Sequence, residues 1–243
     1  MNAYAATHIG KVRKNNEDSI YLSGENEPVL AIVADGMGGH LAGQVASKMA
    51  VDIISKELTS YGLAFVTEKL MGRIISRASK ELYQTASKDA ELYQMGTTVV
   101  AGILYKGKMI YANVGDSRIY LLHNGILTRL THDHSFVQSL VDNHIITEEE
   151  AKNHPYKNII TRVVGMEKVQ ADCAEVHVEN GDAILFCSDG LTNHVEETEI
   201  AAYMGKDDDP FFIVSELIDL ALYRGGKDNI SVIMIKNDGG ENR

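Results

Sequence analysis

Residues 29–34, VLAIVA, are six consecutive apolar residues rich in β-branched side chains. A run that short without alternation suits a strand covered on both faces, so layers must lie above and below it. Asp35 follows at once, then Gly36, Gly38 and Gly39. Beyond them Ala42, Val45, Ala46, Met49, Ala50, Ile53, Ile54 and Leu58 recur at helical spacing. The expectation is a buried strand ending at Asp35, on a glycine turn that opens a helix. An acid at such a place is costly unless its charge is compensated. Taken alone, Asp35 reads as a turn residue capping that helix.

The rest of the chain sorts into runs. Strands are expected over residues 3–8 and 20–23, and a second amphipathic helix over 67–87. From Gly96 the period changes, and strands are expected at 97–105, 109–115, 118–123 and 126–130. Asn124-Gly125 between the last two is a primed hairpin turn, and Lys106–Lys108 is a weaker turn. Further strands are expected at 170–178, 182–188 and 229–236. A last helix starts at Pro210 behind Asp209, with a core face of Phe211, Val214, Leu217, Ile218 and Ala221. Residues 131–165 are polar and histidine-rich, with short helices at 135–143 and 147–152. Sequential strands and grouped helices favour an α+β layered sandwich with mostly antiparallel sheets. There is no internal repeat and no linker, so one domain is expected over 1–237, followed by a polar tail at 238–243.

Composition excludes several classes. A net charge of −11 opposes nucleic acid and anionic membrane as partners. No apolar run of about 18 residues suggests a membrane span, and the N-terminus lacks the apolar stretch of a secretory signal. Cys173 and Cys187 both lie in apolar strand-like surroundings and are expected to be buried free thiols in a reducing, cytoplasmic compartment. His8, His123 and His177 read as structural or surface groups. His132, His134, His144 and His154 read as solvated side chains in or beside the polar excursion.

Asp35 is not isolated. Asp116 follows MIYANVG, Asp189 follows AILFCS and precedes Gly190, and Asp228 lies in GGKDN ahead of ISVIMI. Asp18, in NNEDSIYL, stands just before a strand. Each alone is explained by a turn or a cap. Five acids at strand ends, four of them marked by glycine, converge if those ends share one edge. Converging carboxylates need cations, and oxygen-only ligands select hard ions such as Mg²⁺, Mn²⁺ or Ca²⁺. Two ions sharing a carboxylate suit in-line phosphoryl displacement. Arg13, five residues before Asp18 in a polar loop, is a guanidinium able to fork two phosphate oxygens.

The segments GKVRKNNED, VADGMGGHLAG, MGTTVV, NVGDSRIYL, HPYKNIITRVVG, FCSDGLTN and GGKDNISVI run in order from residue 10 to 233. Together they resemble the metal-dependent protein phosphatases, the protein phosphatase 2C family, and most closely its compact bacterial members. The resemblance implies an α+β, four-layer αββα sandwich that removes phosphate from phosphoserine and phosphothreonine. It implies that Asp35 bridges two Mn²⁺ or Mg²⁺ ions, with the Gly36 carbonyl reaching one. Asp189 and Asp228 complete the first ion's ligands, Asp18 supports the second, and Asp116 with Asp189 matches a third-ion site. Arg13 matches the phosphate-holding arginine, Asn229 the support of the last metal acid, and residues 131–168 the family's variable flap. Direct attack by a metal-bridging hydroxide is the expected mechanism. Phosphorylated proteins are the expected substrates, acted on by a monomer that opposes a serine/threonine kinase. One position departs: where some members carry a histidine just after the Asp-Gly, this chain has Met37. His40, three residues on, and a metal-bound water are the two candidates for the general acid. The competing reading is a catalytically weak module that binds phosphoproteins as a regulator.

Overall fold

The computed structural model describes residues 1–24, 27–38 and 41–238. Strands β1 (Asn2–His8), β2 (Asp18–Leu22) and β3 (Val29–Met37) come first, followed by helices α1 (Ala42–Tyr61) and α2 (Glu68–Ala86). A run of strands follows: β4 (Gly96–Thr97), β5 (Val99–Tyr105), β6 (Lys108–Val114), β7 (Arg118–His123) and β8 (Ile126–Arg129). Two short helices, α3 (Phe136–Asp142) and α4 (Glu148–Lys152), occupy the polar excursion. The chain continues through β9 (Asp172–His177), β10 (Ala183–Cys187), α5 (Asp189–Thr192), α6 (Glu197–Met204), α7 (Pro210–Tyr223) and β11 (Ile230–Lys236). One sheet runs β1-β11-β10-β7-β8 and the other β2-β3-β5-β6-β9, with β4 paired to β3. Every pairing between these strands is antiparallel.

The unbroken apolar run in β3 now has its reason. Val29, Ala31 and Val33 face the core between the sheets, whereas Leu30, Ile32 and Ala34 face the core under α1 and α2. In the other sheet, Ile184 and Phe186 of β10 and Ile233 and Ile235 of β11 point inward. Leu185 and Cys187, with Val232 and Met234, lie under α6 and α7. Both sheets therefore have apolar central strands on both faces, and the α+β sandwich has αββα layers. Burying each such Val, Leu, Ile or Phe contributes roughly 1.5–3 kcal/mol, which makes these three cores the main source of stability. No helix among the described residues is long and apolar enough to cross a membrane.

Three details differ from the sequence expectation. The strand does not stop at Asp35: it continues through Gly36 to Met37, because β4 pairs with its end, Gly36 opposite Thr97 and Met37 opposite Gly96. Asp35 accordingly does not cap α1, whose N-cap is Leu41 without a side-chain hydrogen bond. In α7, Asp209 caps and Pro210 starts the helix as expected, but Phe211 is 44% exposed and stacks edge-on against Tyr4. Ile213 takes its place in the buried stripe, since Phe211 falls at the edge of the face defined by Val214, Leu217, Ile218 and Ala221. Cys187 is buried and free, but Cys173 is only half-buried, because β9 is an edge strand. Both tight turns behave as primed hairpins: Asn124 and Gly125 have φ of 49° and 77°, and Lys106 and Gly107 have 50° and 70°. The expected tail lies outside the described residues from 239 on.

The ring of Phe186 spans the core between the sheets and lies against Gly102, where an added Cβ would be 2.7 Å from it. Phe186→Ala is expected to lower unfolding free energy by about 3–5 kcal/mol in urea titrations. A loss below 1 kcal/mol would contradict this packing.

Candidate metal centre

The five acids come from both sheets. Asp18 opens β2 and stands directly opposite Asp35 in the β2–β3 register. Asp189 begins α5 at the end of β10, and Asp228 lies just ahead of β11. Asp116 sits in the turn that carries the chain from β6 in one sheet to β7 in the other. The glycines beside them act as points of backbone contact. A Cβ on Gly36 would meet the Gly43 carbonyl at 2.0 Å and that of Glu17 at 2.6 Å. One on Gly190 would meet Asn229 O at 1.8 Å, and one on Gly10 would meet Asp228 O at 2.2 Å. These positions admit only hydrogen, and that is what lets the strand ends crowd together.

The acids are incompletely satisfied. Asp18 Oδ2 accepts from Ser188 Oγ at 2.8 Å, and Ser188 Oγ in turn accepts from Ser231 N at 3.0 Å. Asp189 Oδ2 accepts from Asn193 Nδ2 at 2.9 Å. The other oxygen of each, and Asp116 Oδ1, is buried with no hydrogen-bond partner among the described residues. Buried carboxylate oxygens without partners are rare and call for a cause. Asp35 is fixed through its main chain: its N–H donates to Thr98 Oγ1 at 2.9 Å, and its carbonyl accepts from Thr98 N at 2.8 Å and Thr97 Oγ1 at 2.9 Å. Arg13 Nη2 donates to Asp228 Oδ2 at 2.7 Å, and half of the guanidinium side chain remains exposed. Asn229 accepts from Glu17 N and donates to the carbonyls of Ile9 and Asn15, so it ties the Arg13 loop to the start of β11.

Burial, reinforced by the neighbouring acids, pushes these carboxyls up. Asp18 rises to about 7 and Asp116 to about 8. Asp35 is held well above the usual range by burial and then by Asp18, Asp189, Asp116 and Asp228. Asp189 is raised by burial and then by Asp228. Among the described residues, no three His, Cys, Asp or Glu side chains already stand as a finished ion cage. The orphaned oxygens and the mutual repulsion weigh more, because like-charged carboxylates stand apart unless a cation draws them in. Among the described residues the donor set is carboxylates with main-chain carbonyls close by, which fits a hard divalent ion.

The fold brings the five acids named from the sequence to one place, and it adds supports that the sequence did not mark. Ser188, Ser231, Thr98 and Asn193 hold the acids. Ser188 and Asn193 were within reach, as the polar neighbours one before and four after Asp189. Glu17 adds a further acid whose carboxyl is raised by burial. Gly36 follows Asp35 in the strand, and its N–H donates to Glu17 O at 3.1 Å. His40 lies outside the described residues. His134 is no solvated flap residue: its side chain is 5% exposed and hydrogen-bonded at both ring nitrogens. A cleft of about 630 Å³ opens beside Asp116 and Asp189 and runs between α3–α4 and the start of α6. Lys152 of α4 reaches Glu196 at 3.0 Å across it.

An acid with a raised folded pKa keeps its proton in the fold at a pH where the unfolded chain, near 3.8, has lost it. Between about pH 4 and 8 the ion-free fold therefore binds more protons, and its stability falls as pH rises. Chelator-treated protein is expected to melt at a lower temperature at pH 8 than at pH 5, and saturating Mn²⁺ is expected to lift the pH 8 midpoint more. A melting temperature that climbs from pH 5 to 8 without metal would contradict the cluster.

Residues 6–212 match the protein phosphatase 2C family. The chain is 42% identical to the serine/threonine phosphatase stp of Listeria monocytogenes, across 98% of this chain and 96% of that one. It is similar to the serine/threonine phosphatase Stp1 of Staphylococcus aureus, with a TM-score of 0.91, 34% identity and coverage of 98% and 96%. It also matches the catalytic domain of the serine threonine protein phosphatase PstP in complex with 2 manganese ions, with a TM-score of 0.86, 33% identity and 96% of each chain covered. With a five-acid cluster at the meeting of two sheets and this likeness across its length, the chain belongs to the protein phosphatase 2C family and is a phosphoprotein phosphatase of the serine/threonine type.

Proposed function

We propose that the chain hydrolyses phosphoserine and phosphothreonine in proteins at a site where Asp35 would serve two Mn²⁺ or Mg²⁺ ions. Asp189 and Asp228 would hold one ion with it and Asp18 would support the other, with the Gly36 carbonyl as a further oxygen donor. Asp116 with Asp189 would hold a third. The observation that carries this reading is the buried oxygen on each of Asp18, Asp116 and Asp189 that has no hydrogen-bond partner among the described residues. When bound, such ions act as Lewis acids and bring the pKa of a water toward neutrality.

The chain's own groups do the rest. Thr98, Ser188 and Asn193 keep the acids oriented, so little reorganisation is left for the reaction itself. Arg13, half-exposed beside Asp228, offers its fork to the phosphate oxygens and stabilises the charge that grows on them. Residues 131–168 form the flap, and the cleft beneath it receives the polypeptide around the phosphorylated residue. His40 or solvent delivers the proton to the departing serine or threonine oxygen. Acting as a cytoplasmic monomer, the protein opposes a serine/threonine kinase. The free thiols at Cys173 and Cys187 agree with a reducing compartment.

Phosphate release from a phosphothreonine peptide is expected to need Mn²⁺ or Mg²⁺ and to stop with chelator. Arg13→Ala is expected to cut kcat/KM by roughly 10²-fold, and Asp35→Asn or Asp189→Asn by at least that much. Full activity of Asp35→Asn with Mn²⁺ present would refute the shared-ligand assignment.

A further inference from the structure

The turn that carries Asp116 is gripped by a residue 19 positions away. Both main-chain polar groups of Gly115 are engaged by His134. The Gly115 N–H donates to the ring Nδ1 at 3.0 Å, and the Gly115 carbonyl accepts from the His134 N–H at 2.9 Å. Gly115 has φ of 105°, and a Cβ there would lie 2.6 Å from the Thr98 side chain, so Gly115 itself has no side chain to hold its peptide; on either side of it, Ser117 Oγ lies 2.7 Å from Thr98 Oγ1 and Asn113 Nδ2 donates to the Gly115 carbonyl at 3.4 Å. Its other end is held by Asp133, which accepts three hydrogen bonds of 2.6 to 3.1 Å from Arg118. Both anchors are buried, with side chains 8% and 5% exposed for Asp133 and His134.

The far side of the ring explains why it can accept. His134 Nε2 lies 2.9 Å from Asp172 Oδ2 and 3.0 Å from Arg162 Nη1, and Arg162 donates to Asp172 Oδ1 at 2.6 Å. A proton on Nε2 donated to Asp172 leaves the lone pair on Nδ1 for Gly115. Burial, with help from Arg162 against the pull of Asp172, keeps the imidazole below its ordinary pKa. A line of contacts thus runs from Asp172 at the start of β9, through the ring, to the peptide preceding Asp116. Buried groups in such a place fix the angle of a ligand they never touch.

We propose that His134 is a positioning residue for Asp116, holding the Gly115 peptide so that the Asp116 carboxylate stays beside Asp189. This rests on the reading of Asp116 and Asp189 as ligands of a divalent ion. The ring nitrogens can be tested separately. Asn at 134 places an amide where Nδ1 stands, whereas Gln reaches toward the position of Nε2 and leaves Gly115 without its acceptor.

Mn²⁺ titration calorimetry on the full chain compares the wild type with Asp116→Asn, His134→Gln and His134→Asn. Asp116→Asn and His134→Gln are expected to weaken the same, weakest Mn²⁺ step by roughly 10–100-fold, with His134→Asn staying within about threefold of wild type. Both histidine variants lose half of the ring's contacts, so a merely structural role would move their affinities together, as it moves their melting temperatures. Loss in Asp116→Asn with wild-type affinity in His134→Gln overturns the positioning role and leaves the ion site standing. Equal losses in the two histidine variants overturn it as well. No change in Asp116→Asn removes the ion site and the inference together. If His134→Gln does not fold, the wild type answers by nuclear magnetic resonance: Mg²⁺ is expected to shift the Gly115 amide and slow its hydrogen exchange. An unmoved Gly115 amide overturns the proposal.

Discussion

Carboxylates crowded at the junction of two sheets repel one another, and the architecture can be understood as the means of keeping them there. Burying an isolated charge costs several kcal/mol even after relaxation. Here Asp18 is buried and Asp35, Asp116 and Asp189 are half-buried within reach of one another, and Asp228 adds to the field at three of them. The opposing force is the apolar burial on both faces of β3, β10 and β11. Asp35 extends one of these strands, Asp189 follows the second, and Asp228 precedes the third. The acids are thus borne by the most stable segments of the fold, where local opening is least frequent. Among the described residues, the same placement leaves one buried oxygen on each of Asp18, Asp116 and Asp189 without a hydrogen-bond partner.

The two sheets contribute differently. The β2–β3 pair supplies Asp18 and Asp35 side by side, in a register fixed by a ladder of main-chain hydrogen bonds. The β10–β11 pair supplies Asp189 and Asp228 from segments that lie outside any ladder. Asp116 belongs to neither, being on the direct link between them. Its geometry therefore depends on how the sheets sit against each other, and the bracing by Asp133 and His134 falls at that link.

Much of this was legible in the sequence for physical reasons. A strand covered on both faces loses its alternation, so VLAIVA could be recognised without knowing its neighbours. Asn124-Gly125 encodes its turn in two residues, and Asp209-Pro210 encodes a helix start. The acids were visible because glycine accompanies close backbone approach. What escaped notice depends on contacts between distant segments. The extension of β3 to Met37 exists because residues 96–97 return to pair with it. The burial of His134 needs β9 and the β6–β7 turn together, while its sequence neighbourhood is polar. Phe211 was misassigned because one residue at the edge of a helical stripe can lean either way. Ser188 stands next to Asp189 in the chain, but its bond to Asp18 joins segments 170 residues apart and leaves no mark in the local sequence.

The crowding of backbones at Gly10, Gly36, Gly115 and Gly190 has a consequence for how such a protein can diversify. Each of these positions is closed to any larger residue by a neighbour within 2.6 Å. The floor of the site consequently offers almost no side-chain variables, and drift there is met by steric rejection. More freedom to change lies along the cleft walls, on α4 and at the start of α6, where Lys152 and Glu196 are 52% and 64% exposed and pair across the cleft. Steric closure at the acids and open, solvent-exposed walls along the cleft thus fall in separate parts of the chain, one with almost no room for a larger side chain and the other with room to spare.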